Sequence, residues 1–173
     1  MNRRYLLPLI ISGAVVVLAF ANISIYNYEK LLREGEKIYL KLAPADPRSM
    51  MQGDYMSLRF DIQRQILPQM RKCPQRRYLY CNGEGRVRVS VESNGTAGFV
   101  SIYRGEMLSK NEMILRFRVS RNRVRFASGR YFFKEGDGDI YSRAAYEGFR
   151  VGPNGAVLPD GLYDANLSRL GRR

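Results

Sequence analysis

Residues 86–103 read RVRVSVESNGTAGFVSIY. Val87, Val89 and Val91 alternate with Arg86, Arg88 and Ser90, the period-two pattern of a strand with one apolar and one polar face. Ser93-Asn94-Gly95 interrupts it. Asn-Gly is a strong short-range hairpin signal, because both residues tolerate positive φ. A return strand is expected over 97–103, so this stretch predicts an antiparallel hairpin.

The same reading extends in both directions. A second hairpin is expected from 113–119 and 123–128, turning near Asn122. Beyond residue 130, strand patterns are punctuated by Gly136-Asp137-Gly138, Pro153-Asn154-Gly155 and Asp160-Gly161. Upstream, residues 37–43 alternate, with Ile38, Leu40 and Leu42 on one face. Pro44 and Pro47 mark the loop that follows. Residues 53–62 form a further expected strand, with Met56, Leu58, Phe60 and Ile62 inward, and a short helix is expected over 64–70. The expected fold is mainly β: one N-terminal transmembrane helix, then an antiparallel, hairpin-built sandwich or partly open barrel.

The helix is read from residues 5–26, YLLPLIISGAVVVLAFANISIY, which carry no charge. At ~1.5 Å per residue this run spans a hydrocarbon core of ~30 Å. Tyr5, Tyr26 and Tyr28 flank it as interfacial aromatics, and Arg3 and Arg4 favour an inside N-terminus. Ala19-Phe20-Ala21 fits a signal-peptide cleavage pattern. The apolar run continues through Ile23 and Ile25, however, so an uncleaved anchor is the expectation. The resulting division is a cytoplasmic N-terminus (1–4), a transmembrane helix (5–26), a helical extension (27–36), a periplasmic β domain (37–165) and a basic tail (166–173).

Lys and Arg number 29 against 16 Asp and Glu, a net charge of +13, and there is no His. The balance argues for an anionic partner. The membrane segment favours anionic lipid or an acidic envelope glycan over nucleic acid. Without His, a Ser-His-Asp or Cys-His centre is excluded. Two cysteines alone cannot close a zinc site, so neither metal nor cofactor is expected. In an oxidising compartment Cys73 and Cys81 would form one bridge closing a short loop; facing the cytosol they would stay reduced.

Gly53-Asp54-Tyr55-Met56-Ser57-Leu58-Arg59-Phe60 resembles the GDYXXLXY family of bacterial membrane-anchored proteins. The order of a membrane helix, a strand ending in LAPADPR and then GDY is similar to that family. So are Arg130-Tyr131-Phe132 with Glu135-Gly136, and GAVLPDGLY near the end. Phe60 stands where the family name has Tyr. Asp46, Pro47, Arg48, Gly53, Asp54, Tyr55, Leu58 and Phe60 are the motif positions. Gly53 suits a sharp turn and Asp54 suits capping it, with Arg48 a candidate partner for Asp54 or Asp46. The family is largely uncharacterised, so the resemblance implies topology and fold rather than an activity. It also implies a polytopic membrane-protein partner.

Between residues 64 and 130 Lys and Arg number fifteen, and acids number four. Alternation brings Arg116, Arg118, Arg121, Arg123 and Arg125 toward one sheet face, a candidate anion-binding surface. Glu135 to Asp139 has a calcium-like rhythm without the full loop pattern. A Ser-Lys hydrolase centred on Ser49 is the rival reading of function. Ser49 lies too close to Gly53 for the signal-peptidase box, and the inner Pro-Thr-Leu of that box is missing. No catalytic residue is therefore assigned. The expected function is a membrane-anchored periplasmic interaction module at the bacterial inner membrane.

Overall fold

The computed structural model describes residues 3–43, 55–70, 83–120, 123–127 and 129–171, with backbone alone for 3–10. The chain divides into two compact units, Met1–Gly35 and Glu36–Arg173.

The first unit is helix α1, Arg3–Glu34. Its segment Ile11–Glu34 is long and apolar enough to cross a membrane. Two polar side chains in the apolar run turn back on their own helix: Asn22 Nδ2 donates to Leu18 O at 2.8 Å and Ser24 Oγ to Phe20 O at 2.9 Å. Both donors are thereby satisfied without water, as a lipid setting demands. The last turns carry the i,i+4 ion pairs Lys30–Glu34 and Arg33–Glu29. Gly35 N donates to Leu31 O and closes the helix.

The second unit is built from strands β1 (Glu36–Lys41), β2 (Tyr55–Ser57), β3 (Gly83–Val91), β4 (Ala97–Ile102), β5 (Glu112–Ser120), β6 (Arg123–Arg125), β7 (Arg130–Phe132), β8 (Tyr146–Val151) and β9 (Val157–Tyr163). Two short helices join them, α2 (Gln63–Met70) and α3 (Gly138–Tyr141). The strands pair as β1-β8-β9, β2-β7 and β4-β3-β5-β6, antiparallel throughout. Isolated bridges stitch the sheets together: Tyr39 meets Thr96, and Leu42 meets Phe60. The result is a curled, partly open barrel of antiparallel strands, one of the two architectures that the alternation predicts.

One core fills it. Ile38, Leu40, Met56, Phe60, Ile66, Val87, Val89, Leu115, Phe149 and Leu162 are almost wholly buried. The strand expected over 53–62 is shorter than predicted. Its inward residues Met56, Leu58, Phe60 and Ile62 are all buried, but only Tyr55–Ser57 pairs with β7. The chain then changes partner: Ala43 N donates to Arg59 O and Asp61 N to Lys41 O. Alternation specifies the buried face and not the neighbouring strand.

The 93–95 turn also differs in detail from the two-residue loop that Asn-Gly suggests. Gly95 has φ +85°, while Asn94 stays out of the left-handed region. Gly95 N donates to Glu92 O, and the Asn94 carboxamide accepts from Thr96 N at 2.8 Å. This is a three-residue loop closed by a left-handed glycine. Pro153-Asn154-Gly155 repeats it, with Gly155 at φ +77° and Ala156 N donating to Asn154 Oδ1.

Candidate anion-binding face

The four-stranded sheet has one face in the core and one outside. Val87 and Val89 on β3, Leu115, Phe117 and Val119 on β5, and Val124 on β6 point inward. The residues between them point outward and are mostly arginines. Register makes them neighbours: Arg86 lies opposite Arg116, Glu84 opposite Arg118, and Arg118 opposite Arg125. Arg123 lies opposite Ser120.

Arg118 is paired with Glu84. Arg88 lies 3.8 Å from Glu112. Arg116 Nε donates to the Asn154 carbonyl at 2.9 Å, a neutral acceptor. Arg86 stacks its guanidinium 5.5 Å from the Tyr103 ring. Among the described residues Arg86, Arg116, Arg123 and Arg125 have no carboxylate partner. Like charges on facing strands repel, so among the described residues this face carries more positive charge than its Glu84 and Glu112 offset. A groove of about 650 Å³ is lined by Glu84, Arg86, Arg116, Arg118 and Arg125 together with Phe117 and Phe126.

Four of the five arginines read from the sequence are thus brought together. Arg121 lies outside the described residues, as do Asp46, Pro47, Arg48, Ser49, Gly53, Asp54, Cys73 and Cys81. Of the motif positions that are described, Tyr55 packs 5.8 Å from Phe132 and 5.3 Å from the Arg130 guanidinium. Leu58 is buried, and Phe60 packs against Phe126 at 5.6 Å and Phe149 at 5.7 Å. An all-carbon ring suits that apolar surround. Among the described residues no three of His, Cys, Asp and Glu converge to hold a metal, the 135–139 stretch included.

Two further polar features were not read from the sequence as sites, and Asp160-Gly161, expected to punctuate the strands, lies within β9. A bulge between Gly148 and Phe149 of β8 leaves Asp160 as the extra residue on β9. Asp160 is 8% exposed and accepts from the Tyr163 hydroxyl at 3.0 Å. Lys37 Nζ lies 3.5 Å from it and Arg169 Nη1 3.8 Å. Lys37 also stands 4.6 Å from the Tyr163 ring and 5.1 Å from that of Tyr39. Burial works against its charge, but Tyr163 and Tyr39 outweigh that and hold its pKa above the usual lysine value.

The second feature is Glu147, 4% exposed on β8 between Leu40 and Leu162 of the flanking strands. Burial pushes its carboxyl up to about 8. Nearby, burial and then Tyr141 push the Tyr131 phenol up to about 12. The signal was present, since Glu147 shares a period-two face with Phe149 and Val151. A lone acid on an apolar face leaves no trace in composition.

No curated protein and no solved structure is significantly similar to the chain. The family model of the GDYXXLXY protein matches residues 17–162, most of the chain. With that match over the strands and the Phe60 core, the chain belongs to the GDYXXLXY family.

Proposed function

We propose that this protein is a membrane-anchored binding domain whose arginine face engages an anionic surface of the cell envelope. The face on β3, β5 and β6 carries this reading: four outward arginines there lack a carboxylate partner among the described residues. Guanidinium groups in this array suit phosphate or carboxylate oxygens presented by a surface. Helix α1 serves as an uncleaved anchor, with the domain on the periplasmic side of a bacterial inner membrane. That arrangement is supported by the apolar run and by Arg3 and Arg4 before it. The domain acts by binding, without catalysis.

The test uses the full chain held in nanodiscs of neutral phosphatidylcholine. These are floated with vesicles of phosphatidylglycerol or of phosphatidylcholine. Capture is expected by the anionic vesicles alone. It should weaken at least tenfold in Arg123→Glu/Arg125→Glu, since each cation near such a surface contributes ~1 kcal/mol. Equal capture by both vesicle types, or capture indifferent to the charge reversal, overturns the reading.

A further inference from the structure

β4 and β5 flank β3 and both run antiparallel to it, so the connection between them must cross β3 on one face. It crosses on the outside, at Arg86 and Arg88 of β3, beside the arginines of β5 and β6. Tyr103 N donates to Arg86 O at its start, and the Tyr103 ring sits beside the outward guanidinium of Arg86. At its end Val91 N donates to Asn111 O.

Two acids brace the crossover through local hydrogen bonds. Glu106 accepts from Arg104 N at 2.9 Å, and Glu112 from Ser109 N at 2.9 Å. The Arg104 amide, and more weakly the charges of Arg88 and Arg104, hold the Glu106 carboxyl below the usual range. Glu106 is exposed and bonds within the crossover, and Met107 and Leu108 follow it on the crest. Met107 is 95% exposed and Leu108 40%. Arg104 and Lys110 flank the pair in sequence.

A single exposed apolar side chain is ordinary on a soluble surface. Here two consecutive ones stand on a hydrogen-bonded crest, with cations on either side in sequence and an arginine face adjoining. Elements that lie at a lipid interface combine these parts: apolar groups enter the headgroup–acyl boundary while cations meet the phosphates.

We infer that Met107 and Leu108 are an insertion wedge that enters an anionic bilayer while the arginines of the adjoining face hold its headgroups. This rests on the arginine-face reading and names its partner as lipid. A glycan or a protein surface offers no acyl layer for the wedge to enter. Anchorage by α1 keeps the domain at a high effective concentration near a bilayer, so a wedge of two side chains suffices.

The chain has no tryptophan, so Met107→Trp introduces a single reporter at a solvent-facing position that tolerates it. The full chain is reconstituted into vesicles with and without brominated acyl chains. In phosphatidylglycerol vesicles the Trp emission is expected to shift to the blue and to be quenched by the brominated lipid. In phosphatidylcholine vesicles, to which α1 tethers it equally, neither should occur. In the flotation assay, Met107→Ser/Leu108→Ser should weaken capture about tenfold. Water-like, unquenched emission in anionic vesicles overturns the wedge, as does equal quenching in neutral ones. If Arg123→Glu/Arg125→Glu still releases the chain while the Trp stays unquenched, the wedge alone fails. If the charge reversal has no effect either, the arginine reading fails with it.

Discussion

At the scale of single residues the core makes two sharp demands. Glu147 sits where the pattern would place a valine, and burial raises its carboxyl from 4.5 to about 8. The folded state therefore holds a proton that the unfolded chain has lost between those values. Below pH ~4.5 both states are protonated and stability is at its fullest; it falls as pH rises toward 8. At ~1.4 kcal/mol per pKa unit the swing amounts to several kcal/mol. Thermal unfolding of the full chain in detergent should show a midpoint that drops from pH 5 to pH 8. In Glu147→Gln that drop should largely disappear. An unchanged slope in the variant would show that Glu147 is not the titrating group.

The neighbouring Gly148 is set by space. A Cβ there would stand 2.6 Å from Cε2 of Tyr163, a ring that is 2% exposed and packed 4.9 Å from Tyr39. The ring has nowhere to withdraw. Gly148→Ala is expected to destabilise the fold by about 1–3 kcal/mol, as overpacking does. Denaturant titration of the two proteins measures it.

At the scale of elements, the β9 bulge turns Asp160 toward two cations from distant parts of the chain. Lys37 comes from the first residues of β1 and Arg169 from the segment after β9. Tyr163 also bridges to Arg169, and Leu170 N donates to Leu162 O. The carboxylate thus ties β1, β9 and the C-terminal segment together. Asp160→Asn keeps the shape and removes the charge. With Lys37 and Arg169 each about one-third exposed, solvent recovers part of the loss. A cost of about 1–3 kcal/mol is expected. Protease nicking after residue 163 should become faster, because the tail loses its ion pair; unchanged nicking would place the tail's anchorage elsewhere.

At the scale of the whole molecule, net charge and topology act together. The chain carries +13, yet charge alone selects no partner. Topology concentrates on one face arginines that lack a carboxylate partner among the described residues, and lays the 103–111 crossover beside them. Raising salt from about 0.1 to 1 M shortens the Debye length from ~10 to ~3 Å. Flotation with phosphatidylglycerol vesicles should fall in parallel, more steeply in Met107→Ser/Leu108→Ser than in the parent. The anchor is tested separately: mass spectrometry of the membrane-bound protein should find residues 1–35 intact. A chain beginning at Asn22 would instead reveal cleavage after Ala21.

Much of this was determined by sequence alone. The apolar run of α1, the alternation of Val87, Val89 and Val91, and the motif around Phe60 each encode a local physical choice, of length, period or residue type. They suffice for a membrane-capable helix, an antiparallel β domain and membership of the family. The cluster of arginines on β5 and β6 was legible too, because period two assigns a face without knowledge of neighbours. Only the tertiary structure decided who the neighbours are. It paired Arg118 with Glu84 and left Arg123 and Arg125 without a carboxylate among the described residues. It turned residues 59–61 from the β7 side to residues 41–43, and it brought Lys37 and Arg169 to one carboxylate. It also carried the loop bearing Met107 across β3, beside the arginine face. Each of these depends on contacts between residues far apart in the chain, fixed by how strands share one core, and local periodicity holds no record of them.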